Sequence, residues 1–168
     1  MMKRILMIAV AMLPLMLMAQ ARIGIVNSQN IFELMPEKAA AEAQLKAMSE
    51  KYHAEYELLR GEFDKKYADY QTVAADASMP ETIKERRVQE LQESDKKMRE
   101  FERKAADDLA ARRTALTQPI TDKIQAAIRA AGEQGGFDLV FDTAVTPVAY
   151  IGPNTVDITP MVKSILGL

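Results

Sequence analysis

The sequence predicts an α+β protein in which a long antiparallel helical hairpin protrudes from a small β-rich body, and three observations carry that reading. Residues 37–113 are rich in Ala, Glu, Lys, Arg, Gln and Leu and hold one Gly and one Pro, which is long-helix composition. Within that stretch apolar and aromatic residues recur at helical spacing. The flanks, 22–36 and 119–168, carry most of the Gly, Pro and β-branched residues and read as short strands and helices.

The N-terminus comes first. Lys3 and Arg4 precede fourteen apolar or small residues, Ile5 to Met18, and Ala19-Gln20-Ala21 then places small residues at the two positions a signal peptidase reads. The run is short for a bilayer span, which needs roughly 20 residues, and Pro14 lies inside it; the alternative is an uncleaved anchor. Residues 1–21 are therefore read as a cleavable export signal, leaving no integral membrane segment. Cleavage after Ala21 would leave 147 residues and remove Lys3 and Arg4, taking the formal net charge from −2 to −4. Six of the eleven Met residues fall within this segment, so methionine richness belongs to the signal and not to a binding surface.

The mature segment opens with a strand, Arg22 to Val26, followed by Ser28 as cap of a short helix through Ile31, Phe32 and Leu34. The hairpin arm spans 37–118 with its tip near 74–80. Its first helix carries the stripe Leu45, Met48, Tyr52, Tyr56, Leu59, Phe63, Tyr67 and Tyr70, stepping by three or four residues like a coiled-coil seam. At the tip, Ser78-Met79-Pro80-Glu81 matches a capping box with proline in the first turn. The second stripe is thinner: Val88, Leu91, Met98, Phe101, Ala105, Leu109 and Leu116, with Asp95 where the seam wants an apolar side chain. A short loop joins antiparallel helices. The first segment has 6 cations and 10 anions and the second 10 cations and 8 anions, an imbalance that favours their contact. An arm of this length reaches on the order of 50 Å at 1.5 Å per residue, more than a small domain is wide.

The body, 22–36 and 119–168, has 65 residues. After Pro119, which either kinks a continuous helix or begins a new one, Ile120, Ile124 and Ile128 mark a helix that ends at Gly132. Gly135-Gly136 turns into a strand whose alternation puts Phe137, Leu139 and Phe141 on one face, and Val148 to Ile151 reads as another strand. Thr159-Pro160 supplies N-cap and first turn of a last helix through Val162, Ile165 and Leu166. So small a body, without disulfide or metal, is a marginal fold with open sheet edges. The expectation is an obligate homo-oligomer sharing one core, built on Ile23, Ile25, Val26, Phe137, Leu139, Phe141, Val148 and Tyr150.

The composition excludes much chemistry. Without cysteine there is no disulfide, thiolate nucleophile or Cys-ligated zinc, and His53 alone makes no histidine metal cluster. A net charge of −2 argues against a generally basic nucleic-acid binder. The sequence carries no recognisable catalytic triad or phosphate loop; Gly132-Glu-Gln-Gly-Gly ends a helix, the wrong context for a phosphate cradle. The expectation is a non-enzyme with no catalytic residues, cofactor or metal. His53 reads as an ordinary exposed or partly buried histidine, and the acidic pairs Glu55/Glu57 and Asp107/Asp108 as solvated helix faces.

The opening Arg22-Ile-Gly-Ile-Val-Asn-Ser-Gln-Asn-Ile-Phe, the charged hairpin, Pro119-Ile-Thr-Asp-Lys-Ile-Gln-Ala-Ala-Ile, Gly136-Phe-Asp-Leu-Val-Phe-Asp and the terminal Val156-Asp-Ile-Thr-Pro-Met-Val together resemble the Skp (OmpH) family of periplasmic chaperones. The resemblance covers the whole mature chain. It implies a homotrimer with a shared central barrel, three hairpins surrounding a cavity, and an ATP-independent holdase for unfolded outer-membrane proteins. Better-known members are strongly basic whereas this mature chain is at −4, so no lipopolysaccharide site is carried over.

Avidity from many weak contacts suits such a holdase. The aromatic stripe either packs on the partner helix or faces clients; Tyr67, Tyr70 and Met79, nearest the tip, are the candidate client contacts, because the second helix offers little apolar surface opposite them. Gly61, inside the first helix, reads as a hinge, or else as a site of close packing or a tolerated defect. The alternative function is an adaptor whose hairpin bridges two cell-envelope components.

Overall fold

The computed structural model describes residues 21–168; the predicted signal, apart from Ala21, lies outside the described residues. The elements run β1 (Ile23–Val26), α1 (Ser28–Leu34), α2 (Pro36–Ala75), α3 (Glu81–Gly135), β2 (Leu139–Asp142), β3 (Val156–Asp157) and α4 (Thr159–Leu166). The fold class is the predicted one: two long helices together with a small sheet. The chain divides into two compact units, one holding the described residues up to Met35 with Thr121–Leu168, the other Pro36–Ile120.

The first unit is built on a three-stranded parallel sheet of order β2-β1-β3. Ile23 pairs with Leu139 and Ile25 with Phe141, while Gly24 pairs with both Val140 and Val156. Strand alternation then sorts the faces. Gly24 and Val26 point inward, where a Cβ on Gly24 would sit 3.3 Å from Ile158 and Val140, and Val26 is 1% exposed. Around them Ile31, Met35, Ile124, Ala127, Ala131, Ile158 and Val162 are buried. The α3 stripe in this core runs Ile124, Ala127, Ala131, so small alanines and not Ile128 let the helix approach the sheet.

Several local expectations change. Asn27, not Ser28, caps α1: its side chain accepts from the Asn30 N–H at 2.9 Å, and the Ser28 N–H donates to Asp142 Oδ1 at 3.1 Å. Helix α3 passes through Pro119 without a break. Proline removes the bond to the Ala115 carbonyl, but Ala115 is exposed and water can replace the lost donor. The helix ends three residues beyond Gly132, because Gly136 adopts φ +62 and closes a Schellman turn: its N–H donates to the Glu133 carbonyl at 3.1 Å and that of Phe137 to the Gly132 carbonyl at 3.0 Å.

Phe137 therefore lies before β2 and not in it. Val148 to Ile151 is not a strand either, since β2 and β3 occupy both edges of β1. The third strand is the two-residue Val156–Asp157, too short to carry an alternation signal. At α4 the N-cap is Ile158, without a side-chain cap bond; Thr159 lies inside the first turn instead of capping it, and its N–H donates to Asp157 Oδ1 at 2.8 Å.

In the second unit α2 and α3 pack antiparallel: Gln44 meets Arg112, Tyr52 meets Asp108 and Lys66 meets Ser94, one number rising as the other falls. The connection is an Asx turn and not a capping box. Asp76 Oδ1 accepts from both the N–H and the hydroxyl of Ser78, at 2.8 and 2.6 Å, while α3 starts from Pro80, whose carbonyl accepts from the Ile83 N–H at 3.0 Å, two residues beyond the serine. These two bonds hold the Asp76 carboxyl below the usual carboxylate range.

Candidate functional site

Two surfaces stand out, one in each unit. On the sheet, the face opposite the core carries Ile23, Ile25, Leu139 and Phe141. Leu139 is 48% and Phe141 36% exposed, an apolar face open on the protomer. The segment after β2 continues this character: Val145, Val148, Tyr150 and Ile151 are all exposed, Tyr150 at 80%. Of the residues expected in an oligomer core, Val26 belongs to the protomer's own core. Phe137 lies beneath the Arg22 guanidinium, whose carbon is 4.5 Å from the ring centroid.

The second surface is the hairpin. Its seam is apolar on one side of Leu59, and on the other polar residues enter it among half-buried Phe63, Tyr70 and Leu91. Ala41, Leu59 and Ala105 are buried, and Tyr52 meets Phe101 edge-on at 5.9 Å between centroids. The Tyr52 hydroxyl donates to Asp108 Oδ2 at 2.9 Å, and this bond to a carboxylate pushes the phenol up; Glu102 does the same to Tyr56. Both tyrosines thus bury ring edges while keeping their oxygens at the rim. Beside them a groove of about 570 Å³ runs between Leu45, Ser49, Ala106 and Leu109, with Lys46 and Arg113 at its rim.

Beyond Leu59 the pattern changes. Lys66 Nζ donates to the hydroxyl of Ser94, a buried residue, at 2.7 Å. Further on, Arg87 Nη1 donates to Glu90 Oε2 at 2.7 Å and Arg86 Nε to Glu90 Oε1 at 3.2 Å, holding the Glu90 carboxyl below its ordinary value. Lys66 and Ser94 thus occupy positions that the stripes assigned to Tyr67 and Asp95. Tyr67 turns outward and stacks on Phe63 at 6.3 Å with the rings 8° from parallel. Val88 also leaves the seam and is exposed, with Arg87 half-buried in its place.

The three candidate client contacts are thereby separated. Tyr67 is 47% exposed on the outer face. Tyr70 is half-buried and lines a groove of about 740 Å³ with Ala74, Lys84, Val88 and Gln92. Met79 is half-buried in the turn, where its N–H donates to the Asp76 carbonyl at 3.3 Å. The stripes missed Leu58 and Ile83, which are exposed at 64% and 40%. A signal for the polar seam was present: Leu91, Ser94, Met98, Phe101 and Ala105 alternate steps of three and four without interruption.

At Gly61 a Cβ would meet nothing within 4 Å, which removes close packing as the reason for the glycine. His53 is exposed beside Tyr52 and Tyr56. Among the described residues no group of three or more His, Asp or Glu is placed to hold a metal, and no helix is long and apolar enough to cross a membrane.

The fold and these surfaces define a class: a long helical hairpin joined to a small parallel-sheet body with an uncovered apolar face. The OmpH-like outer membrane protein family matches residues 22–166, and the chain belongs to that family. Among solved structures it is similar to a protein from Caulobacter crescentus CB15 described as an OmpH-like outer membrane chaperone, with a TM-score of 0.67 and 16% identity, over 88% of this chain and 85% of that one. No match is found among curated proteins.

Proposed function

We propose that the protein is an ATP-independent periplasmic holdase that encloses unfolded outer-membrane proteins between helical arms and prevents their aggregation in transit. The observation that carries this reading is the set of apolar side chains on the hairpin, Leu58 at the middle of α2 and Tyr67, Ile83 and Val88 nearer the tip, exposed between 36% and 64% in a chain of the OmpH-like family. Separated apolar groups make individually weak contacts, and several of them on one preformed scaffold hold a chain by effective concentration while leaving it free to depart without nucleotide. The name of the Caulobacter relative, an outer membrane chaperone, supports the same reading.

Client contact is assigned to Tyr67, Tyr70 and Met79, with Gly61 as a hinge of the arm. Self-association is assigned to the open sheet face, where Ile23, Ile25, Leu139 and Phe141 leave apolar area for other copies to cover. Three copies is the number implied by the resemblance. Export rests on the Lys3-Arg4, apolar run and Ala19-Gln20-Ala21 pattern.

The test is light scattering of a denatured outer-membrane β-barrel protein diluted from urea, with and without the mature chain and in the absence of nucleotide. Suppression at about one trimer per client is expected for avid capture in one cage. No suppression by a folded oligomer would overturn the holdase and favour the bridging adaptor.

A further inference from the structure

Arg22 is the residue that a cut after Ala21 would leave at the chain's end, and the first unit holds it by both main chain and side chain. Its backbone N–H donates to Asp138 Oδ2 at 2.7 Å, and the Asp138 N–H donates back to the Arg22 carbonyl at 3.0 Å. Its guanidinium turns the other way, donating through Nη1 to the Gly135 carbonyl and covering the Phe137 ring. The niche is the Schellman turn at the end of α3, where Gly136 at φ +62 carries the chain from Gly135 to Asp138. One residue later Ile23 enters β1 opposite Leu139.

We propose that the chain is cut between Ala21 and Arg22 and that the α-ammonium so created pairs with the Asp138 carboxylate, so that maturation itself supplies the cation that fastens β1 beside β2. This inference rests on the export reading and extends it. The cut is a hydrolysis by a peptidase that accepts small side chains: water adds across the Ala21–Arg22 amide, Ala21 departs as a carboxylate, and Arg22 keeps the nitrogen, which is protonated at neutral pH. Before the cut that nitrogen is a neutral amide with one proton. After it, the same atom carries three protons and a full positive charge, 2.7 Å from a carboxylate oxygen if the geometry is kept. A charge-assisted bond replaces a neutral one at an unchanged position. The residue's own guanidinium does not compete for Asp138, because Gly135 and Phe137 occupy it.

The experiment has two stages. Protein exported and purified from cells is sequenced from its N-terminus; Arg22-Ile-Gly-Ile-Val is expected, and any other start overturns the proposed cut without touching the holdase reading. Chains beginning at Arg22 are then prepared with a free or an acetylated α-nitrogen, each with Asp138 or Asp138→Asn, and unfolded in urea at one fixed protein concentration. The acetylated chain keeps one N–H and loses the charge, restoring at that nitrogen the neutral amide it has before the cut. Asp138→Asn is expected to lower the folding equilibrium constant about two- to fivefold more in the free chain than in the acetylated one, the range of an exposed ion pair. An equal loss in both overturns the ion pair. A second measurement does not depend on the variant folding: the wild-type α-amine should react with an acylating reagent several-fold more slowly in buffer than in urea, and equal rates would also overturn the pairing.

Discussion

Lys66 donates to Ser94 across the hairpin at 2.7 Å, at the point where polar side chains enter the seam. Toward Ala41 and Ala105 the two helices bury alanine, leucine and aromatic surface; toward the tip the Lys66–Ser94 bond crosses between them among half-buried Phe63, Tyr70 and Leu91, and no apolar side chain there is fully buried. Burial of apolar area is the main favourable term in helix packing, so the distal arm is held less firmly than the proximal arm. Replacing both Lys66 and Ser94 by Leu should stabilise the distal hairpin by about 1.5–3 kcal/mol, the gain from burying a leucine side chain. Hydrogen exchange of residues 62–75 and 84–94 should slow accordingly. Unchanged exchange would show that the polar seam does not limit the arm's stability.

At Gly61 the open space around a Cβ makes Gly61→Ala a test of backbone freedom without a steric penalty. Alanine should stabilise α2 by about 1 kcal/mol. If the glycine is a hinge, the stiffer arm should capture large clients less well than small ones, measured by the same scattering assay. Equal capture would leave Gly61 a tolerated defect.

The tip residues make a separate prediction. Tyr67, Tyr70 and Met79 changed together to Ser should weaken client capture while the sedimentation coefficient of the oligomer stays the same. Their half-buried or exposed positions allow the change without emptying a core. Unchanged capture would remove all three from the contact surface.

Phe141→Asp places a charge on the uncovered sheet face. The protomer's own core lies on the other face of β1, around Val26, so helical circular dichroism should survive. Sedimentation velocity should show smaller species. An unaltered oligomer would mean that another surface joins the copies.

Stability against pH should bend at both ends. Tyr52 and Tyr56 have phenols raised by Asp108 and Glu102, so their contribution is whole below the ordinary tyrosine value near 10 and is lost as pH rises through the folded value. Asp76 and Glu90 are lowered by Ser78 and Arg87, so theirs is present above the ordinary carboxylate value and is lost as pH falls through the folded one. Thermal melts of Tyr52→Phe with Tyr56→Phe should flatten the alkaline limb, and Asp76→Asn the acid limb. Limbs identical to wild type would exclude these pairs.

The long elements were legible because their signals are repeated many times. Leu45, Met48, Tyr52, Tyr56 and Leu59 state the helical period five times, and one misplaced residue does not erase it. Local caps were not legible at the same level. Ser28, Ser78 and Thr159 each have the right hydroxyl, yet Asn27 caps the first short helix, Ser78 is held by Asp76 ahead of α3, and Thr159 lies inside α4 behind Ile158. Adjacent residues of similar chemistry, such as Asn27 and Ser28, compete for the same N–H, and backbone torsion decides between them.

By itself the sequence determined the α+β class, the pair of long helices, the turn between them and the first strand, because each follows from local periodicity or from a breaker. Tertiary structure decided the rest. Whether Val148 to Ile151 or Val156–Asp157 became the third strand depended on which segment reached the free edge of β1, a contact across more than a hundred residues. Likewise Lys66, and not Tyr67 beside it, entered the seam because two helices met in one register. Periodicity records what a helix can bury, and only the facing helix settles which of those residues it buries.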